Sequence, residues 1–144
     1  MHLRSVSSSL PTTLIDSCVL LDIFTEDPKW GDWSIQEIER AREAGRLVIN
    51  PIIYAEVTPR FATAEELDYT LGSDELDHEG IPYEAAFLVG KAFNAYKRRG
   101  GQERSPLPGF YIGAHAAVRS YRLLTRDAHH FRTYFPRVEL VCPN

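Results

Sequence analysis

Short β-rich apolar runs alternate with longer stretches of helical period along this chain, and that alternation restricts its fold more than any other feature. Thr12–Asp16 reads as a strand and is followed at once by the helical run Val19–Phe24. Glu26–Asp32 is a loop carrying Pro28 and Gly31. Ser34-Ile35-Gln36-Glu37 has the form of a capping box, with Trp33 and Ile38 placed as a hydrophobic staple and Gly45 as the C-cap after Ala44. Leu47–Ile49 is the second strand; it turns at Asn50-Pro51 into a helix, Ile52–Val57, that stops before Pro59. Thr63–Glu66 is a second capping box and opens a short helix to Leu71. Residues 73–80 read as an acidic loop or a short edge element. Ala85, Leu88, Val89, Ala92, Phe93 and Tyr96 follow helical spacing, which makes Tyr83–Arg99 the longest helix. After the polar loop Gly100–Pro108 come a helix over Phe110–Tyr121, a strand over Arg122–Thr125, a helix over Ala128–Phe135 and a last strand over Val138–Val141.

Such alternation implies right-handed βαβ crossovers. The expected fold is α/β: a three-layer α/β/α arrangement around a parallel sheet of roughly four to five strands. Its 144 residues suit one domain over the whole chain, with the Ser-rich first eleven residues expected to be a flexible segment. No apolar run approaches the roughly 20 residues of a membrane helix, and the first residues hold no apolar stretch typical of a secretory signal. The two cysteines, Cys18 and Cys142, form no CxxC or Cys/His cluster, which argues against a disulfide framework or structural zinc and points to a reducing cytoplasm.

In a parallel sheet, ligands bind beyond the carboxyl ends of the strands. Three acids fall there. Asp16 ends the first strand, Glu56 lies in the first turns of the helix after the second, and Asp127 follows Leu123-Leu124-Thr125. Each alone is explained by helix capping or by the dipole of a first turn; their joint placement is explained less well that way. Clustered carboxylates raise one another's pKa unless a cation neutralises them, and a hard dication, Mg2+ or Mn2+, suits oxygen ligands. Charge is divided unevenly along the chain. Residues 1–90 hold 6 Lys/Arg against 17 Asp/Glu, whereas residues 91–144 hold 10 against 3. A basic half of this kind suits a nucleic-acid backbone, and solvated helix faces explain it equally well.

Four segments in order carry a resemblance: Leu14-Ile15-Asp16-Ser17, Asn50 to Glu56, Pro106-Leu107-Pro108-Gly109 to Ala116, and Leu124-Thr125-Arg126-Asp127. Together they are similar to a PIN domain of the VapC toxin type, over Thr12 to Pro143. The resemblance implies a metal-dependent endoribonuclease that hydrolyses RNA phosphodiester bonds. It further implies a homodimer held inactive by a cognate antitoxin protein. By position, Asp16, Glu56 and Asp127 match the first, second and fourth acids of that family's site and its metal ligands. Ser17 and Thr125 match the hydroxyl positions that orient them. The family's third acid is replaced here by Gly109. A glycine at an N-cap or first-turn position costs little, so the expectation is an unchanged fold, a site short of one ligand, and a position that accepts Asp.

Further candidates are weaker. Lys97, Arg98, Arg99 and Arg104 flank the loop leading to Gly109 and suit RNA phosphates, and a dipole-favoured helix end explains the first three equally well. Arg126 joins that basic set or pairs with its neighbour Asp127. His115, His129 and His130 are candidate proton-transfer groups, with His115 expected to be packed or on the surface. Trp30 and Trp33 read as core and staple residues rather than base-stacking platforms. Two other functions compete: a catalytically inactive module that docks antitoxin or RNA, and an aspartyl phosphatase of the haloacid-dehalogenase type. The latter requires an acid two residues after its nucleophile, where Cys18 stands.

Overall fold

The computed structural model describes residues 10–72 and 75–144. Most of the Ser-rich start lies outside these residues, as do Ser73 and Asp74. Five strands, β1 (Thr13–Ile15), β2 (Leu47–Ile49), β3 (Asp77–His78), β4 (Arg122–Leu124) and β5 (Leu140–Val141), form one sheet in the order β3-β2-β1-β4-β5. Every pairing is parallel; Leu14 faces Val48 on one side and Leu123 on the other. Leu14, Ile15, Val48, Ile49, Leu123 and Leu124 are completely buried, as strands covered by helices on both faces require. The expected three-layer architecture is the one observed, with residues 77–78 supplying the edge strand beside β2.

Among the described residues seven α-helices surround the sheet: α1 (Ser17–Phe24), α2 (Gly31–Ala44), α3 (Pro51–Val57), α4 (Ala64–Leu71), α5 (Tyr83–Arg98), α6 (Pro108–Arg119) and α7 (Ala128–Tyr134). A 3-10 turn, Thr58–Arg60, follows α3. Local chemistry sets most of the starts. Asp16 caps α1 by accepting from Ser17 N at 2.8 Å, and Asn50 caps α3 by accepting from Ile53 N at 3.0 Å ahead of Pro51. Thr63 accepts from Glu66 N at 3.1 Å, as its capping box predicts. None of the helices among the described residues is long and apolar enough to cross a membrane.

The Ser34 capping box is overturned. The second helix begins four residues earlier, with Trp30 as its N-cap, because the Asp27 carboxylate takes the amides of Lys29 and Trp30 at 3.0 and 2.7 Å and starts the turn itself. Ser34 therefore lies inside α2, and its hydroxyl donates to buried Asp22 at 3.0 Å. Arg126 closes the same carboxylate from the far side of the chain, through Nη2 to Oδ1 at 2.9 Å and Nε to Oδ2 at 2.6 Å. This bidentate pair replaces the expected contact with Asp127, and the Arg126 guanidinium also lies 5.5 Å from the Trp30 ring centre. The Pro11 end of the start is likewise held. Its carbonyl packs so tightly on Gly45 that a Cβ there would collide, and only glycine fits.

Asp22 thus joins α1, α2 and the segment after β4. Replacing it leaves a guanidinium and a hydroxyl without their partner. Asp22→Ala is expected to cost about 2–4 kcal/mol of unfolding free energy, read by urea denaturation. Arg126→Ala, which strands the buried carboxylate instead, is expected to fall in the same range; a loss within experimental error for both would refute the clamp.

Candidate active site

Because all five strands run parallel, their carboxyl ends share one edge, and the residues just past them meet there. Strand order reverses between β1 and β4, the place where a doubly wound sheet opens a crevice. Asp16 follows β1 and Thr125 follows β4, and they meet across this gap: Thr125 Oγ1 donates to Asp16 Oδ2 at 2.7 Å. Thr125 Oγ1 also accepts from the amide of Asp127 at 3.0 Å, which fixes the start of the segment carrying that acid. On the other side Ser17 Oγ donates to Glu56 Oε1 at 2.8 Å, while Ser17 N holds Asp16 Oδ1. Two hydroxyls therefore join Asp16, Glu56 and the backbone of Asp127 into one hydrogen-bonded row.

Electrostatics follow from this placement. Burial raises the pKa of Asp16, and the nearby charge of Asp127 adds to it, against the lowering effect of hydrogen bonds from Thr125, Ser17 and Cys18. Glu56, at the exposed end of the row, is raised by partial burial of its carboxylate and by the charge of Asp16. Cys18, whose thiol donates to Asp16 Oδ2 at 3.6 Å, is pushed up to about 11 by burial and by that same carboxylate. It is a packed thiol rather than a nucleophile. Among the described residues no group of three or more His, Cys, Asp or Glu side chains is gathered closely enough to hold a metal ion. The hydroxyls of Ser17 and Thr125 take up the contacts between the acids.

Gly109 lies at the second position of α6, with Leu107 as the N-cap. The space beside it is occupied. A Cβ at 109 would stand 3.1 Å from His130 Nε2 and 3.3 Å from its Cδ2, so a side chain there needs the ring to give by a few tenths of an ångström. Burial pulls His130 below the ordinary histidine range, against the opposing charges of Asp127 and Asp16. His129 is exposed.

Lys97, Arg98, Arg99 and Arg104 are all exposed. Lys97 Nζ donates to the Glu103 carbonyl at 3.0 Å and shapes the loop after α5. Arg99 lies 5.7 Å from the ring centre of Tyr134, which itself packs against Phe110 and His130. The basic stretch thus borders the aromatic cluster beside Gly109. Trp30 and Trp33 pack edge to face at 6.1 Å, away from any stacking platform role.

A second polar group went unread in the sequence. His115 is completely buried, 3.0 Å from the side-chain nitrogen of Asn50 and 2.8 Å from Glu79 Oε2. Asn50 Oδ1 is engaged by Ile53 N, so its amide nitrogen must face the ring. His115 Nδ1 therefore accepts, and Nε2–H donates to Glu79. Glu79 also accepts from Tyr121 at 2.8 Å. Burial works to raise Glu79, and these bonds together with the charge of Arg46 outweigh it and hold the carboxyl below its ordinary value. The helical period around His115 announces a packed residue but nothing of Glu79, 36 positions away.

No family model matches the chain, and no curated protein matches it. Solved structures do. VapBC2 from Rickettsia felis, bound to a DNA fragment from its promoter, matches 92% of this chain and 99% of its own at a TM-score of 0.72 and 16% identity. VapBC-1 from nontypeable Haemophilus influenzae matches 91% and 97% at 0.69 and 18% identity. A toxin–antitoxin complex from Klebsiella pneumoniae matches 92% and 98% at 0.59 and 20% identity. At these identities the likeness is one of fold. The chain has the three-layer PIN-like architecture found in VapBC complexes, over about nine-tenths of its length.

The raised acids carry a measurable sign. A carboxyl that binds its proton more tightly folded than unfolded stabilises the fold at low pH, and that contribution is lost as pH rises through the folded pKa. Asp16→Asn keeps the cap and removes the buried charge. In metal-free protein, the melting temperature of Asp16→Asn relative to the parent should therefore climb from pH 4 to pH 7. A difference that stays flat or falls would show that Asp16 is not held above its usual range.

Proposed function

We propose that this chain is a metal-dependent endoribonuclease, the toxin of a toxin–antitoxin pair, and that it hydrolyses RNA phosphodiester bonds. One observation carries the reading. A buried carboxylate, Asp16, sits at the reversal point of the sheet with its pKa raised, tied through two hydroxyls to Glu56 and to the start of the Asp127 segment. Negative charge concentrated there is what a divalent cation relieves. Asp16, Glu56 and Asp127 would hold Mg2+ or Mn2+ through a shell that stays largely hydrated, since these ions are commonly bound by one or two carboxylates. When bound, such a cation supplies charge neutralisation at a phosphate and a more acidic water.

The chain's own residues supply the rest. Ser17 and Thr125 fix the orientation of the acids by donating to Glu56 and Asp16. Arg98, Arg99 and Arg104, with Lys97, offer an exposed basic border on which an RNA backbone can lie. An antitoxin would insert an Arg or Lys into the acidic row and replace the cation's charge. The exposed aromatic residues Tyr83 and Phe87, one turn apart on α5, suit a homodimer contact. A second reading, a docking module without catalysis, draws support from Gly109, which supplies no carboxylate at this position.

Single-stranded RNA incubated with purified protein and Mg2+ or Mn2+ separates the two. Cleavage that chelator abolishes and that Asp16→Asn lowers about a hundredfold is the expected outcome. Intact RNA under every metal condition, with an antitoxin still recovered as a complex, would leave only the docking reading.

A further inference from the structure

The Asn50 side chain answers to two partners at once. Its Oδ1 accepts from Ile53 N at 3.0 Å and caps α3, while its Nδ2 stands 3.0 Å from His115 Nδ1. The other ring nitrogen, Nε2, lies 2.8 Å from Glu79 Oε2. Hydrogen bonds therefore run in one direction: from the Ile53 amide into Asn50, from Asn50 into the ring, and from the ring into Glu79. That direction holds only while Nδ1 carries no proton. Water offers no relief for a mismatch, because His115 is completely buried and Asn50 only 2% exposed. α3 is also the helix that bears Glu56, three residues beyond Ile53, where the carboxylate accepts from Ser17 Oγ at 2.8 Å.

A second proton on His115 reverses one link. Nδ1–H would then face the amide nitrogen of Asn50, donor against donor at 3.0 Å. Turning the amide over offers the ring an oxygen but aims the Asn50 nitrogen at Ile53 N, and the conflict moves to the cap. A buried donor without an acceptor is the costly case, and either arrangement contains one. Charged groups act on the ring from both sides. The Glu79 carboxylate favours the proton; Arg46 and Arg119, 3.6 and 3.8 Å from that carboxylate, offset it, and the Tyr121 hydroxyl donates to the same group. The helices packed on α6 bury only apolar residues: Ile53 and Val57 of α3, Ala85, Val89 and Ala92 of α5, and Phe131 of α7. His130 of α7 meets the other end of α6, at Gly109. Resting on the metal-dependent reading above, we propose that His115 is the acid sensor of the site: a solvent proton taken up on its Nδ1 lone pair uncaps α3 and shifts Glu56 from its place beside Ser17. Its hydrogen bonds reach none of the three acids, so it is a positioning residue that acts through Asn50.

Solution NMR on the intact, 15N-labelled chain reads both ends of this relay. The ring nitrogens of His115 report its protonation, and the Ile53 amide reports the cap. At neutral pH His115 should show one protonated nitrogen, Nε2, and one bare one. As the pH is lowered until the ring charges, the Ile53 amide and the Asn50 side-chain amide should move with the same midpoint, and exchange of the Ile53 amide should quicken roughly fivefold. His115→Gln keeps the polarity, since its carbonyl can accept from Asn50 and its amide donate to Glu79, yet it takes up no proton. The Ile53 midpoint should vanish there. Against RNA at neutral pH, His115→Leu should lower kcat about tenfold with KM unchanged, and His115→Gln should recover most of that loss. An Nδ1–H tautomer at neutral pH, a ring that stays neutral until the whole chain unfolds, or an Ile53 signal indifferent to the charging of the ring would each overturn the sensor. The parent protein alone decides these three, so a variant that fails to fold leaves the test intact. RNA left uncut by the parent at every pH, with the Ile53 coupling present, would instead remove the nuclease reading and leave the sensor standing.

Discussion

The hydrogen bond from Thr125 to Asp16 spans the one place in the sheet where the chain turns back on its own strand order. A carboxylate buried at the tip of a central strand is costly unless donors surround it. Here both oxygens are met: the Ser17 amide on Oδ1, and the Thr125 hydroxyl with the Cys18 thiol on Oδ2. Ser17 and Thr125 also reach outward, Ser17 to Glu56 and Thr125 to the Asp127 amide. Asp16 is thus both the cap of α1 and the hub from which the other acids are positioned. Remove its charge and the helix start survives; remove Thr125 and two of the three acids lose a shared support.

A second buried chain of polar contacts steadies this rim from the side. Asn50 caps α3, the helix that bears Glu56, and His115 of α6 accepts from the Asn50 amide while donating to Glu79 beside β3. α6 carries Gly109 at its opposite end. The helix that presents Glu56 and the helix that presents the empty position are therefore locked to each other through an imidazole with no exposure to water. On the far side the Asp22–Arg126 clamp fixes α1 to the turn that ends in Asp127. Helices on either flank of the crevice are held by buried polar contacts, so the acids rest on a frame with little freedom to drift.

Much of the fold was legible because its signals are local. Apolar triplets such as Leu47–Ile49 and caps such as Asn50 and Thr63 declare themselves within a few residues. The expected junction acids and the hydroxyls beside them lie on one edge for the same reason, since a strand end followed by a helix start is a short-range pattern. What escaped notice was settled by distant partners. Ser34 has every local mark of a cap, yet the Asp27 carboxylate starts the helix first and Ser34 turns to Asp22. Arg126 has an acid next door and takes one 104 positions away. The His130 ring edge stands close against Gly109, and nothing in either neighbourhood of the sequence says so. Spacing between acids was also unreadable, because it depends on which side chains stand between them.

The strands themselves set a limit on how this molecule can meet others. β3 and β5, the two borders of the sheet, are only two residues long. A passing chain finds almost no open row of amides and carbonyls along which to extend the sheet. Association by strand addition, the route by which many sheet proteins recruit peptides or polymerise, is closed off by geometry. Whatever this chain binds must be gripped by helix faces, by the loops past the strand ends, or by charge.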